Sequence, residues 1–159
     1  ENGSLPSCDH IYICLGTTIK KAGSQSEFKK VDFDYCVSFA KKAREAGATK
    51  ISLVSSVGAN PYVKNFYLKT KGEVEEEIKK IDFHYINIFR PSLLLGSREE
   101  NRFLEKIGQN LSPFLNFFLI GSLRKYRSTK SSNVAYCMAN YKQSGGVRYL
   151  YFDDFNNNF

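Results

Sequence analysis

The strongest constraint on the fold is an alternation of short apolar runs with longer helical patterns. The runs are HIYICL at residues 10–15, KISLV at Lys50–Val54 and YINIF at Tyr85–Phe89. Each run is short and mostly apolar, and the first is of the continuous type expected for a strand that is covered on both faces. Strands that alternate with helices predict an α/β fold with a parallel sheet and crossover connections.

Two helices are predicted between these strands. Asp32 is the expected N-cap of the first helix, and Gly47 is its expected end. The expected buried face comprises Phe33, Cys36, Val37, Ala40 and Ala43. The second helix begins after another expected cap, Asn65, and runs to about Lys80. The polar, glycine-containing stretch 19–30 is predicted to be a loop.

The pattern after Pro91 is weaker. The elements predicted there are a helix at 98–109, a buried apolar segment at 111–120, a short strand at 126–129, a helix at 133–142 and a strand at 147–152. The last of these helices is expected to bury Ala135, Met138 and Ala139 on one side. Residues 156–158 are expected to be a frayed end.

The composition is that of one globular domain. The chain has 159 residues, of which 42% are hydrophobic and 25% are charged, so it can bury a core of its own. No apolar run approaches the roughly 18 residues of a membrane span. The net charge of +7 comes from scattered lysine pairs rather than an aromatic and basic platform. Nucleic acid is therefore not an expected partner.

The four cysteines are Cys8, Cys14, Cys36 and Cys137. Their spacing fits neither a zinc site nor a secreted disulfide scaffold, which predicts a reducing, cytoplasmic location. Cys8, His10 and Cys14 form a conceivable metal cluster, but buried or inert thiols are the expected condition. No metal site is predicted.

Tyr67 and Lys71 are the first candidate functional residues. They lie four residues apart at the start of the second predicted helix, in line with Val74 and Ile78 at helical spacing. A lysine on such a buried stripe is costly unless something requires its charge. A cofactor groove beside a parallel sheet would require it. An ordinary amphipathic helix, with a lysine that reaches to solvent, explains the same spacing without a cofactor.

Five motifs in a fixed order resemble those of the short-chain dehydrogenase/reductase superfamily. They are GTT at 16–18, VDFDY at 31–35, SSVGA at 55–59, YLKTKGEVE at 67–75 and FRPSLLLGSREENR at 89–102. In detail they are similar to the atypical group that includes the human Tat-interacting-protein oxidoreductase and its microbial relatives. The resemblance covers roughly residues 11–102, and the ordered set is far more specific than the Y-x-x-x-K pair alone.

The resemblance implies a doubly wound, Rossmann-like sheet that binds NAD(P). Such sheets open with a strand, a glycine-rich loop and a helix, which place the pyrophosphate on backbone N–H groups. No G-x-x-G-x-x-G occurs in this sequence. We therefore expect residues 1–159 to be a single NAD(P)-binding domain without its first strands and phosphate loop, in which about 92–146 form a small substrate-side part.

The resemblance also implies the catalytic residues. Tyr67 would donate a proton to the substrate oxygen as hydride reaches the neighbouring carbon. Lys71 would assist, because a positive charge favours the ionised form of a phenol, and would bond the nicotinamide ribose. Ser55 or Ser56 would hold the substrate oxygen. Strand alternation lets only one of them face the groove, and the Val-Gly that follows favours Ser56.

Cofactor contacts follow from the same resemblance. They are expected from Leu15, Gly16, Lys71, Leu94 and Arg102, with Arg98 as a weaker candidate. NADP(H) is favoured over NAD(H). One departure from the family concerns an asparagine of the proton relay, which lies on the helix before the serine strand. No asparagine occurs between residues 31 and 47 here.

Three functions are compatible with this resemblance. The first is an NAD(P)-dependent oxidoreductase that acts on a small carbonyl or alcohol, with Tyr67 as its acid/base. The second is a non-catalytic NADPH-binding regulator that acts on a protein partner. The third is a sugar-nucleotide epimerase-like enzyme, ranked lower because the stretch after Pro91 is short for a substrate lobe. The expected partners are a dinucleotide and a small-molecule substrate, and a homo-oligomer is also compatible.

Overall fold

A four-stranded sheet forms the centre of the computed structural model, which describes residues 5–95, 119–142 and 145–156. Its strands are β1 (His10–Ile13), β2 (Lys50–Val54), β3 (Tyr85–Phe89) and β6 (Gly146–Leu150). They lie in the order β1-β2-β3-β6, and all neighbouring pairs are parallel. The predicted α/β fold with a parallel, Rossmann-like sheet is confirmed.

The main core lies between this sheet and two helices, α3 (Cys36–Glu45) and α4 (Phe66–Lys79). Alternate residues of each strand point to the same face, and the branched residues of three strands meet the helices there. The buried residues of this core are Ile13, Cys36, Ala40, Ala43, Ala48, Ile51, Leu53, Val74, Ile78, Phe83, Ile86 and Ile88. Small alanines on α3 let its backbone lie close to the sheet.

The stretch 19–30 is not the loop that was predicted. It forms two short helices, α1 (Ile19–Ala22) and α2 (Gln25–Lys29). The hydroxyls of Thr18 and Ser24 cap them, each accepting a hydrogen bond of 3.1 Å from the backbone N–H three residues later. Such caps satisfy donors that a helix start leaves unpaired. The polar residues that suggested a loop are therefore helix starts.

A π-helical turn at Lys30–Tyr35 joins α2 to α3 in one helical path. Asp32 was predicted to cap the helix, but it lies inside this turn and is only 1% exposed. The wider turn changes the direction in which its side chains point relative to an uninterrupted α-helix. Asp32 is consequently buried in the protein, where its charge needs a partner.

The chain after β3 builds a smaller layer. β4 (Leu94–Leu95) and β5 (Thr129–Lys130) pair in parallel, and a 3-10 helix at Gly121–Tyr126 precedes β5. The predicted strand is therefore shorter and later in the chain. The segments predicted at 98–109 and 111–120 fall mostly outside the described residues. Ile120, which is described, is 68% exposed, so the prediction that it is buried is wrong.

A second core lies under this layer, around α5 (Ser131–Asn140). It comprises Phe89, Val134, Cys137, Met138, Leu150 and Phe155. The helix begins two residues earlier than predicted, and Ala135 and Ala139 are exposed rather than buried. Only Met138 of the predicted face is correct, because the buried face is set by Val134 and Cys137.

The end of the described chain is ordered by side-chain contacts. β6 stops at Leu150, and α6 (Phe152–Asn156) replaces the end of the predicted strand. Asn156 is not a frayed residue. Its amide donates a hydrogen bond of 2.8 Å to the hydroxyl of Thr129, and its carbonyl accepts one of 2.8 Å from Asn133. These bonds tie α6 to β5 and α5.

Candidate active site

The candidate site is organised around a buried ion pair between Lys71 and Asp32. The Lys71 ammonium lies 2.6 Å from Oδ1 of Asp32, and the two side chains are 9% and 1% exposed. The other carboxylate oxygen, Oδ2, accepts a hydrogen bond of 2.8 Å from the backbone N–H of Thr17. Buried charges are costly unless they are paired and hydrogen-bonded. Each of the two residues therefore supplies the opposite charge that the other needs in order to be buried.

Gly16 lies directly beside this ion pair, in the loop after β1. A Cβ atom at Gly16 would be 3.2 Å from Oδ1 of Asp32 and 3.6 Å from Nζ of Lys71. The strand ends at Ile13, earlier than predicted, and the next apolar residue, Leu15, is 38% exposed. In α/β sheets ligands bind outside the carboxyl ends of the strands. The structure thus brings two predicted site residues together at such a strand end.

Tyr67 precedes Lys71 by one turn of α4 and is 36% exposed. The centroid of its ring lies 5.9 Å from that of Phe28, with the ring planes at 57°. Phe28 belongs to α2, is fully buried and also contacts Phe66. The tyrosine ring is therefore supported on one side and reaches solvent on the other. Sequence reasoning missed Phe28 because it placed this residue in a loop.

The two serines after β2 have different environments. Ser55 is 5% exposed, and its hydroxyl donates a hydrogen bond of 2.5 Å to Oε1 of Glu75. Ser56 is half-buried, and its hydroxyl makes a long contact of 3.4 Å with the backbone carbonyl of Val57. The hydroxyl of Ser55 is committed to α4, whereas that of Ser56 can turn to another acceptor or donor.

Glu75 also forms a second buried ion pair, with Arg90 at the end of β3. Oε1 of Glu75 accepts a hydrogen bond of 2.9 Å from Nε of Arg90, and Nη2 bonds the other oxygen, so the pair is bidentate. Arg90 donates to the hydroxyl of Tyr151 at 3.1 Å and lies 4.4 Å above the ring of Tyr149. Burial acts to lower the pKa of the guanidinium, but the hydrogen bond and charge of Glu75 raise it overall. The network ties α4 to the ends of three strands.

Cys36 lies near the first ion pair but is not a candidate nucleophile. The residue is 1% exposed, and its sulfur lies 3.7 Å from the carbonyl of Val31. Burial is the main reason that its pKa rises to about 11; Lys71 opposes this rise and Asp32 adds to it. The thiolate is the reactive form of cysteine, so Cys36 stays protonated and unreactive at neutral pH.

The other predicted cofactor residues lie in the second half of the chain. Leu94 is in β4, paired with Thr129, and packs partly buried against the second core. Arg102 and the weaker candidate Arg98 fall outside the described residues. The cluster that the structure does assemble joins Gly16 and Lys71 to Asp32, a residue that sequence reasoning assigned to helix capping.

Two surface depressions are lined by residues outside this cluster. One, of about 380 Å³, lies on the open sheet face between His10, Tyr85 and Asn140. The other, of about 430 Å³, follows the β1 edge beside Leu15 and Phe39. Tyr67 and Lys71 line neither depression. Within the described ranges no group of three or more metal-ligating side chains occurs, and no helix there is long and apolar enough to cross a bilayer.

α4 is pressed against the connection from β2 at Gly72. A Cβ atom at this position would lie 2.4 Å from the backbone of Asn60 and Pro61. Asn65 caps the helix as predicted, accepting a hydrogen bond of 3.0 Å from the backbone N–H of Leu68. The close approach fixes α4, and with it Tyr67, against the loop that carries the two serines.

Replacing Gly72 with alanine is expected to lower the free energy of unfolding by about 2 kcal/mol or more. Alanine gains about 1 kcal/mol in helix propensity, but it must displace backbone, and overpacking costs about 1–3 kcal/mol, with a clash this close at the upper end or beyond. Denaturant unfolding of the full-length protein measures the difference. Lys69→Ala, an exposed change on the same helix, should alter it by under about 0.5 kcal/mol. Equal losses in the two variants would contradict the close packing.

The chain has relatives of similar sequence, although no protein-family model matches it. It is 46% identical over 95 residues to Protein FMP52, mitochondrial, of Candida albicans, covering 60% of this chain and 42% of that protein. It is 41% identical over 91 residues to Protein HTATIP2 of Rattus norvegicus, covering 57% of this chain and 37% of that protein. The matches thus span less than half the length of these relatives.

Solved structures share the fold. A short-chain dehydrogenase/reductase superfamily protein from Agrobacterium tumefaciens, solved with bound NAD, superposes with a TM-score of 0.61 over 91% of this chain and 60% of its own. The identity of 12% makes this a likeness of fold alone. The ordered motifs, the parallel sheet and the two relatives agree, and together they fit an atypical short-chain dehydrogenase/reductase family.

Proposed function

We propose that the protein is an NAD(P)-dependent oxidoreductase that transfers hydride to or from a small carbonyl or alcohol, with Tyr67 as the acid/base. The observation that supports this most is the buried ammonium of Lys71, beside the backbone of Gly16 at the end of β1. Tyr67 lies one turn before it and is partly exposed. A fixed cation near an accessible phenol suits carbonyl reduction, in which negative charge grows on oxygen.

The described residues fit a nicotinamide dinucleotide. The Lys71 ammonium has three N–H donors, and its single carboxylate contact with Asp32 at 2.6 Å leaves donors for ribose hydroxyls. The missing Cβ at Gly16 lets a ligand approach the backbone beside this ammonium. The proposed cofactor contacts are Leu15, Gly16, Lys71, Leu94 and Arg102. The last two are supported by the family resemblance alone.

The chemistry assigns a separate task to each side chain. A nicotinamide dinucleotide held by Lys71 and the backbone of Gly16 would supply the hydride that the carbonyl carbon accepts. Tyr67 donates its hydroxyl proton to the carbonyl oxygen, which becomes the alcohol. Lys71 favours the phenolate that remains, and the partly exposed ring regains its proton from solvent. Ser56 holds the carbonyl oxygen by a hydrogen bond, since the hydroxyl of Ser55 is engaged by Glu75. Alcohol oxidation follows the reverse order.

The substrate side is proposed to lie in about residues 92–146. Its described part is the smaller layer, in which β4 and β5 pair and α5 packs on the second core. This layer follows the last residue of β3, which pairs with Leu150 at the end of the parallel strand β6. The layer therefore begins at the carboxyl edge of the sheet. The two serines after β2 lie at the same edge, where a substrate would meet Ser56.

We also propose a reducing compartment. All four cysteines are free, and burial raises the pKa of the Cys137 thiol to about 11, which keeps it protonated. The cytoplasmic location expected from sequence is one such compartment. The relative from Candida albicans carries the word mitochondrial in its name, so fractionation of the tagged full-length protein should include mitochondria.

A panel of small aldehydes and ketones, assayed with NADPH and NADH in parallel, tests this function. The assay uses the full-length protein, because the matches span less than half the length of the relatives. We expect turnover of at least one carbonyl, with NADPH the better donor. Dinucleotide binding without turnover of any carbonyl would contradict the proposal and favour a non-catalytic regulator. Absence of dinucleotide binding would contradict both functions.

A further inference from the structure

We propose that Asp32 is a positioning residue of the reaction. Its carboxylate fixes the ammonium of Lys71 in the direction that serves both Tyr67 and the dinucleotide. This inference rests on the proposed function and deepens it, because the sequence analysis assigned Asp32 to helix capping only. The carboxylate acts through Lys71 and is not itself expected to touch the reacting atoms.

The carboxylate of Asp32 joins three elements of the fold. Oδ1 lies 2.6 Å from the Lys71 ammonium on α4, and Oδ2 accepts a 2.8 Å hydrogen bond from Thr17 in the loop after β1. Asp32 itself is held in the π-helical turn. Because both oxygens are engaged, the carboxylate cannot rotate without losing a contact. The ammonium is thereby fixed relative to the strand end where Gly16 passes.

Lys71 has no alternative carboxylate on its own face of α4. Glu75, the next acid one turn later, is paired in a bidentate contact with Arg90 and also accepts the Ser55 hydroxyl. The nearby thiol of Cys36 stays neutral at physiological pH, since burial raises its pKa to about 11. A lysine side chain is long and flexible, so its ammonium would lose its fixed direction without Asp32.

The chain departs from the family pattern between residues 31 and 47, where the resemblance places a relay asparagine and none occurs. Asp32 lies in this same stretch, and its carboxylate reaches the ammonium of Lys71 directly. The position of Lys71 therefore depends on an ion pair. The charge of Asp32, rather than its shape, is then the property to test.

Asp32→Asn removes that charge and keeps an oxygen that can accept the Thr17 hydrogen bond. In steady-state assays of the full-length protein, at a temperature where circular dichroism shows it folded, we expect kcat to fall by about 10- to 100-fold. The KM for the dinucleotide should rise several-fold, because Lys71 serves both. Asp34→Asn, the same change at an exposed position of the same turn, should leave both constants unchanged.

A double-mutant cycle separates positioning from general damage. In a Lys71→Met background, adding Asp32→Asn should lower kcat/KM by less than about threefold, since the group that it positions is gone. If Asp32→Asn lowers kcat but leaves the KM for the dinucleotide and the KM for the carbonyl substrate unchanged, the sample contains a smaller fraction of active protein. That result would overturn the proposal. If the wild type shows no turnover, the proposed function fails; if it turns over and Asp32→Asn matches it, only the role of Asp32 fails.

Lysine acetylation followed by mass spectrometry gives a readout without cofactor or activity. Lys71 should be labelled several-fold faster in Asp32→Asn than in the wild type, whereas the exposed Lys69 should be labelled equally in both. Equal labelling of Lys71 would contradict its fixation by Asp32. If Asp32→Asn does not fold, Asp32→Glu replaces it in every assay. Asp32→Glu keeps the charge but moves it by the length of one methylene group. If its kcat and its KM for the dinucleotide equal those of the wild type, the proposal is overturned.

Discussion

Replacing Glu75 with glutamine is expected to lower the free energy of unfolding by about 3 kcal/mol. Glutamine keeps the shape of the side chain and can still accept the Ser55 hydrogen bond, but it leaves the Arg90 guanidinium without its counter-charge. Removing one partner of a buried ion pair costs about 3–5 kcal/mol. The lower end applies because the Arg90 side chain is 18% exposed and retains Tyr151 as a partner.

Urea unfolding of the full-length protein measures this loss, and Glu77→Gln is its control. Glu77 lies on the same helix and pairs with Lys80 at 2.6 Å, but the lysine side chain is 69% exposed. Exposed pairs are screened by solvent and contribute little to stability, so the control should be nearly neutral. A loss in Glu75→Gln no larger than that in Glu77→Gln would show that the network around Arg90 does not hold α4 against the sheet.

The parallel sheet could be predicted because its strands are local sequence features. The runs at Lys50–Val54 and Tyr85–Phe89 are mostly apolar, and the structure forms strands with those bounds. The cap at Asn65 was equally visible, since a polar residue before an apolar helical stripe is a local signal. Predictions of this kind depend only on residues within one element.

The role of Asp32 could not be predicted because it depends on contacts between elements. As the last polar residue before an apolar stripe, it resembled a helix cap. The helices α1 and α2 begin earlier in the chain, after the caps Thr18 and Ser24. Glu27 follows Ser24 by three residues, and this capping-box pattern could have revealed the start of α2. The π-helical turn and the meeting with Lys71, 39 positions later in the sequence, have no local signature.

The choice between the two serines has the same physical origin. Strand alternation shows that only one can face the groove, but which one depends on acceptors far along the chain. Glu75, held by Arg90, accepts the hydrogen bond of the Ser55 hydroxyl inside the protein.

The error in the buried face of α5 has a similar cause. Its alanines are small enough to lie on either the buried or the exposed side of a helix. Contact with Phe155 and Leu150 decides which face of α5 is buried.

Replacing Tyr67 with phenylalanine is expected to lower turnover by about 10² to 10⁴. The change removes the proposed proton donor and leaves the ring, which rests on Phe28 with centroids 5.9 Å apart. The fold and the dinucleotide affinity should therefore persist, since Lys71 and Gly16 are untouched. Tyr62→Phe is a matched control, because it makes the same chemical change at a tyrosine that is 93% exposed.

The most direct test of the account is kcat for reduction of a carbonyl substrate by full-length wild type, Tyr67→Phe and Tyr62→Phe, with dinucleotide affinity measured by calorimetry on the same samples. The account predicts that Tyr67→Phe binds dinucleotide like wild type but turns over at least about 100-fold more slowly, whereas Tyr62→Phe is unchanged in both. Wild-type turnover in Tyr67→Phe would contradict it, and would make the tyrosine a structural residue of α4.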